Sequence, residues 1–116
     1  MKRKKTSTKN KILWEKSLQL VLNIKKMKKQ FLNEEMFGLS PLLTRASTEV
    51  SSYIGEACEE KDLRLQLRWL NHAQRALIES KSYLVNVQRF GNTNKLGIEA
   101  EQVSVILESY INALKK

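Results

Sequence analysis

The chain is poor in turn formers, with four glycines and one proline in 116 residues. Average usage would supply about 8 and about 6. A sandwich or barrel needs turn chemistry at intervals of roughly 8–12 residues, so this shortage excludes a many-stranded β fold. Cys58 is the single cysteine, which excludes an internal disulfide and points to a reducing, cytoplasmic setting. No apolar run approaches the ~18 residues of a membrane span. The basic opening, Met1 to Lys5, is not followed by an unbroken apolar stretch, so a secretory leader is not expected.

Catalytic residues are equally sparse. His72 is the one histidine, and no Glu-x-x-His pair exists for the di-metal sites that helix bundles often carry. Gly38, Gly55, Gly91 and Gly97 are too scattered to form a phosphate cradle. Cys58 lies in a helical pattern and reads as a buried structural cysteine rather than a nucleophile. Glu49, Glu56 and Glu79 form no evident acid/base couple. The sequence therefore predicts no enzyme, no cofactor and no metal.

Positive charge is abundant, and it is segregated. The formal net charge is +9. Residues 1–30 hold 11 Lys/Arg and one acid, residues 31–62 hold two basic and seven acidic residues, and residues 63–95 hold six basic and one acidic. Alternating blocks of this kind create local potentials that attract polyanions or charged partners.

The apolar pattern is helical throughout. Residues 1–10 lack periodicity and read as a disordered basic arm, leaving residues 11–116 as one domain. Leu13, Ser17, Leu20, Ile24, Met27 and Phe31 recur at spacings of 4, 3, 4, 3, 4, which predicts a first helix from about Ile12. Ser40-Pro41 reads as the cap and first turn of a second helix reaching about Cys58, with Leu39, Leu43, Ala46, Val50, Tyr53 and Ala57 as its stripe. Asp62 is a candidate N-cap for a third helix to about Phe90. Residues 91–97 read as a loop, and Leu96, Ala100, Val103, Leu107, Tyr110 and Leu114 mark a fourth helix from about Ile98. Four such helices with short connections predict an all-α, antiparallel up-down-up-down bundle.

The third helix has two apolar stripes. One is Leu63, Leu67, Leu70, Leu77 and Leu84; the other is Trp69, Ala73, Ala76, Tyr83 and Val87. Either the second stripe meets another copy, with Trp69, Ala73, Ala76 and Tyr83 as the interface, or this helix is the most buried of the bundle. Its remaining face carries Lys61, Arg64, Arg68, Arg75 and Arg89, a basic row suited to a phosphate backbone. That row stands against a simpler alternative, in which Glu49, Glu56, Glu59 and Glu60 of the second helix neutralise it. Lys25, Lys26 and Lys29 on the first helix and Lys2, Arg3, Lys4 and Lys5 in the arm are further candidate phosphate contacts. The aromatic residues fall mostly on apolar stripes and read as core.

Certain short segments carry a family resemblance. They are Leu13-Trp14-Glu15-Lys16-Ser17, Phe37-Gly38-Leu39-Ser40, Arg45-Ala46 with Ser52 and Ile54-Gly55-Glu56, and Leu70-Asn71 with Ala73, Ala76, Leu77 and Glu79. In these the chain resembles the 23S ribosomal RNA intervening-sequence proteins from about Ile12 to Lys115. It departs from them at Ser51, where members often have proline, and at Ala57, where they often have glycine. The resemblance implies a four-helix bundle assembled as a ring-like homopentamer. The family includes the accessory variability determinant of diversity-generating retroelements. By that resemblance the expected partners are nucleic acid, RNA above all, and a reverse transcriptase, with an oligomeric scaffold as the alternative role.

Overall fold

The computed structural model of the protein describes residues 8–28, 34–88 and 93–116. They form four helices: α1 (Thr8–Lys28), α2 (Glu34–Glu59), α3 (Leu63–Val87) and α4 (Asn94–Lys115). No strand occurs among the described residues. Each helix packs on its neighbours in chain order and α4 closes back on α1. α1 and α3 therefore occupy diagonal corners of the bundle. Its long dimension is 44 Å, close to the ~39 Å that the 26 residues of α2 span at 1.5 Å each.

The 4-3-4-3-4 stripes converge on one core. Leu13, Leu20 and Ile24 from α1 meet Leu43, Val50 and Ile54 from α2, Leu70, Leu77 and Leu84 from α3, and Val103 and Leu107 from α4. Three serines, Ser17, Ser47 and Ser80, share this interior with no exposed surface. Each hydroxyl donates to a carbonyl of its own helix: Ser17 to Trp14 (2.7 Å), Ser47 to Thr44 (3.1 Å) and Ser80 to Ala76 (2.9 Å). The polar atom is satisfied without a partner on another helix, so its burial is cheap.

Three boundaries differ from the sequence reading. Thr8 to Asn10 belong to α1 rather than to an arm; Asn10 is buried, and its carbonyl lies 4.0 Å from the Cys58 thiol at the far end of α2. Residues 1–7, the rest of the expected arm, lie outside the described residues. α2 begins at Glu34, so Ser40 and Pro41 sit inside it rather than at its start. Pro41 removes one backbone hydrogen bond from the second turn, but Ser40 and Leu43 are buried and their packing holds the turn. α4 begins at Asn94 rather than Ile98, because Leu96 buries in the core and outweighs the local preference of Asn94 and Gly97 for loop.

The α2–α3 connection is tightly made. Asp62 caps α3 as expected, its carboxylate accepting from the Arg64 amide at 2.9 Å and the Leu65 amide at 3.5 Å. The Gln66 side-chain amide donates to the Ala57 carbonyl (3.1 Å) and to the Tyr110 hydroxyl (3.4 Å), tying the turn to the end of α4. Burial pushes the Tyr110 phenol above its ordinary value of 10.0. Asp62→Ala is expected to destabilise the fold by about 1 kcal/mol, the usual worth of a helix N-cap. Chemical denaturation followed by helical circular dichroism measures this.

α4 is held on both flanks. Glu99 accepts two hydrogen bonds from the Asn23 side chain of α1, at 3.0 and 2.9 Å. Glu101 pairs with Lys81 of α3 at 2.7 Å. Between α1 and α2 the helices approach closely: a methyl at Gly55 would stand 3.3 Å from Trp14 Nε1.

Candidate nucleic-acid interface

The buried arc of α3 contains Leu70, Ala73, Ala76, Leu77, Ser80, Leu84 and Val87. The opposite side of the helix must then face solvent, and Arg64, Arg68 and Arg75 are exposed there. At 1.5 Å per residue the three span about 17 Å. Lys61 is also exposed but precedes the N-cap, so it stands at the end of the row rather than on the helix. Arg89 and Lys29 lie outside the described residues, as do Lys2, Arg3, Lys4 and Lys5.

The neutralising alternative is only partly visible in the contacts. Among the described residues Arg64, Arg68 and Arg75 form no ion pair with Glu49, Glu56 or Glu60, although Glu49 and Glu79 line the same groove as Arg75. The row is an exposed strip of positive charge with carboxylates beside its Arg75 end. Lys25 and Lys26 are exposed on α1, the helix diagonal to α3, so the structure does not bring them together with the arginine row.

The expected interface residues separate into two kinds. Ala73 and Ala76 are buried in the chain's own core, with 0% and 5% of their surface exposed, and have nothing to offer a second copy. Trp69 and Tyr83 are half-buried and pack against that core. Two apolar stripes thus reflect the double contact of α3 with α2 and α4. The most exposed apolar side chains on α3 and α4 are Ile78, Val85, Ile98 and Val105, each more than half exposed, and Leu63 of the first stripe is also exposed, as is Leu65. A helical-wheel count that included these as well as the stripes would have found them.

Sequence reasoning missed one cluster. Tyr53 of α2 stacks on Trp69 of α3 with centroids 5.9 Å apart and planes 24° apart. His72 leans on both, at 5.2 Å from Tyr53 and 6.1 Å from Trp69. The available signal was that Trp69, His72 and Arg75 are three residues apart, at the edge of the basic face. Among the described residues, no three His, Cys, Asp or Glu side chains could share a metal ion, and no helix is long and apolar enough to cross a membrane.

The chain matches the family model of the 23S rRNA-intervening sequence protein over residues 9–112, all four helices. It belongs to that family. A crystal structure of a protein of unknown function from the S23 ribosomal protein family of Bacteroides thetaiotaomicron has the same fold, with a TM-score of 0.81 at 22% sequence identity, over 90% of this chain and 99% of that one. No curated protein matches the chain. The intervening-sequence family is thus fixed by sequence, and the four-helix bundle by structural likeness as well.

Proposed function

We propose that this family member is a non-catalytic accessory protein that binds the phosphate backbone of nucleic acid, RNA above all, along the outer face of α3. It acts as a homo-oligomer, a pentamer by family resemblance, and serves a reverse transcriptase. The observation that supports the binding surface is the strip of Lys61, Arg64, Arg68 and Arg75, exposed and engaged in no ion pair among the described residues. Leaving guanidinium groups unpaired on one face stabilises nothing in the fold. Guanidinium forks fit phosphate oxygens bidentately.

A salt titration tests the reading. Four neutralised phosphates on a single strand correspond to a slope of about −3 in log K against log salt. Affinity for unrelated RNAs is therefore expected to fall about 50-fold between 50 and 200 mM salt, and an oligomer presenting several rows would steepen the fall. Binding that ignores salt, or no binding at low salt, rejects the mechanism.

A second reading, an oligomeric scaffold that meets an acidic protein partner, draws on Ile78 and Val85, exposed on the same side of α3 as the arginines. It becomes the better account if RNA does not bind while light scattering returns a multiple of the 13.5 kDa chain mass. A monomer mass at micromolar concentration removes the oligomer from both readings.

A further inference from the structure

We propose that the Tyr53–Trp69–His72 cluster and the groove beside it form a stacking site for an unpaired nucleobase, which makes the natural ligand of the α3 row single-stranded. The inference rests on the nucleic-acid reading above and adds the class of strand and of base.

The argument begins with placement. The groove runs along the α2–α3 seam and is lined by Glu49 and Tyr53 of α2 and by His72, Arg75, Ala76 and Glu79 of α3, among others. Its volume is about 550 Å³, and it is a shallow groove open to solvent along one side, as a platform for a base at the surface must be. Ala76 lies at its base, where a larger residue would fill it. Tyr53 and His72 line it with their rings 5.2 Å apart, and Trp69, next to the groove, packs on both. Arg75 belongs both to the groove and to the basic row. A strand whose phosphates follow Arg68 and Arg75 therefore passes the mouth of an aromatic pocket.

The chemistry of the lining agrees with a base rather than with a further phosphate. Every base has a π face, and aromatic side chains are the common platform for unpaired bases. Glu49 and Glu79 repel a phosphate but accept hydrogen bonds from exocyclic amino groups, as a carboxylate does from cytosine N4. Neither carboxylate is engaged in an ion pair among the described residues. Cytosine, adenine and guanine carry such an amino group and uracil does not. The site thus discriminates amino-bearing bases from uracil. A duplex, whose bases are stacked on each other and paired along these edges, cannot enter.

The test uses the full chain carrying Trp14→Phe, so that Trp69 is the one indole. Oligo(C), oligo(U) and a mixed duplex RNA, each of about 12 nucleotides, are titrated at low salt. Oligo(C) is expected to quench Trp69 fluorescence and to bind about 10-fold more tightly than the duplex or oligo(U). Tyr53→Ala and His72→Ala are each expected to weaken oligo(C) binding about 10-fold, within the range of a lost base stack, with duplex affinity unchanged. Tyr53→Phe keeps the ring and should keep the affinity. Should Tyr53→Ala prove unfolded, the Glu49→Gln, Glu79→Gln double variant replaces it: loss of the preference for oligo(C) over oligo(U) upholds the site. Equal, salt-dependent affinity for all three RNAs without quenching overturns the stacking site and leaves the phosphate reading intact. Absence of binding to any of them overturns both.

Discussion

Arg68→Glu combined with Arg75→Glu is expected to cost about 100-fold in affinity for RNA at low salt, with little dependence on sequence. The two reversals change the charge of the row by four units over about 10 Å of helix. Contacts to phosphates position a polyanion without reading it, so their loss weakens all sequences alike. The magnitude of the salt slope should drop by about two, one for each phosphate contact removed. The fold should be untouched, since both side chains are exposed and form no ion pair among the described residues; such substitutions stay within about 0.5 kcal/mol. Helical circular dichroism checks the fold while fluorescence anisotropy at several salt concentrations measures the binding. Lys25→Glu with Lys26→Glu, on the diagonally opposite helix, makes the same change in net charge and is expected to cost far less. Equal losses from the two pairs would mean that net charge governs binding and that no particular face does.

Leu77→Ala is expected to destabilise the protein by about 2–5 kcal/mol, the cost of an interior leucine truncation. Leu77 has 1% of its surface exposed, and it lies among the leucines of the core. Domains of this size are stable by about 5–15 kcal/mol, so the single change removes a large share. Urea denaturation should show a lower midpoint with an unchanged slope. Ile78→Ala, one residue along the same helix but 63% exposed, serves as the contrast and is expected to shift stability by less than about 0.5 kcal/mol. A large loss from Ile78→Ala in dilute solution would place that residue in an interface that persists there.

These two leucine and arginine faces were legible in the sequence for the same reason: a helix repeats every 3.6 residues, and α3 keeps its apolar and basic residues on opposite sides of that repeat. The starts of α2 and α4 were less legible. Pro41 and the Asn94–Gly97 segment carry strong local signals for a helix start and a loop, and both are overridden by burial of neighbours, Leu43 in one case and Leu96 in the other. Periodicity also left open whether Ala73 and Ala76 face a second copy. An apolar stripe says that a residue is covered, and only the assembled bundle says by what. The aromatic cluster was beyond reach because Tyr53 and Trp69 are 16 positions apart on different helices, and their stacking depends on the lateral fit of α2 against α3.

The inward serines have a bearing on how the helices are aligned along the bundle. Because Ser17, Ser47 and Ser80 each bond back to their own helix, their hydroxyls cannot report which level of a neighbouring helix lies opposite. A polar bond between helices is lost if one slides by a turn; a bond within a helix travels with it. The level of α4 must then be set by shape in the interior and by polar contacts between helices: Asn23–Glu99 and Lys81–Glu101 in its first half, and Gln66–Tyr110 towards its end. These hold the helix near both ends, so a slide by one turn along the bundle axis would break all three.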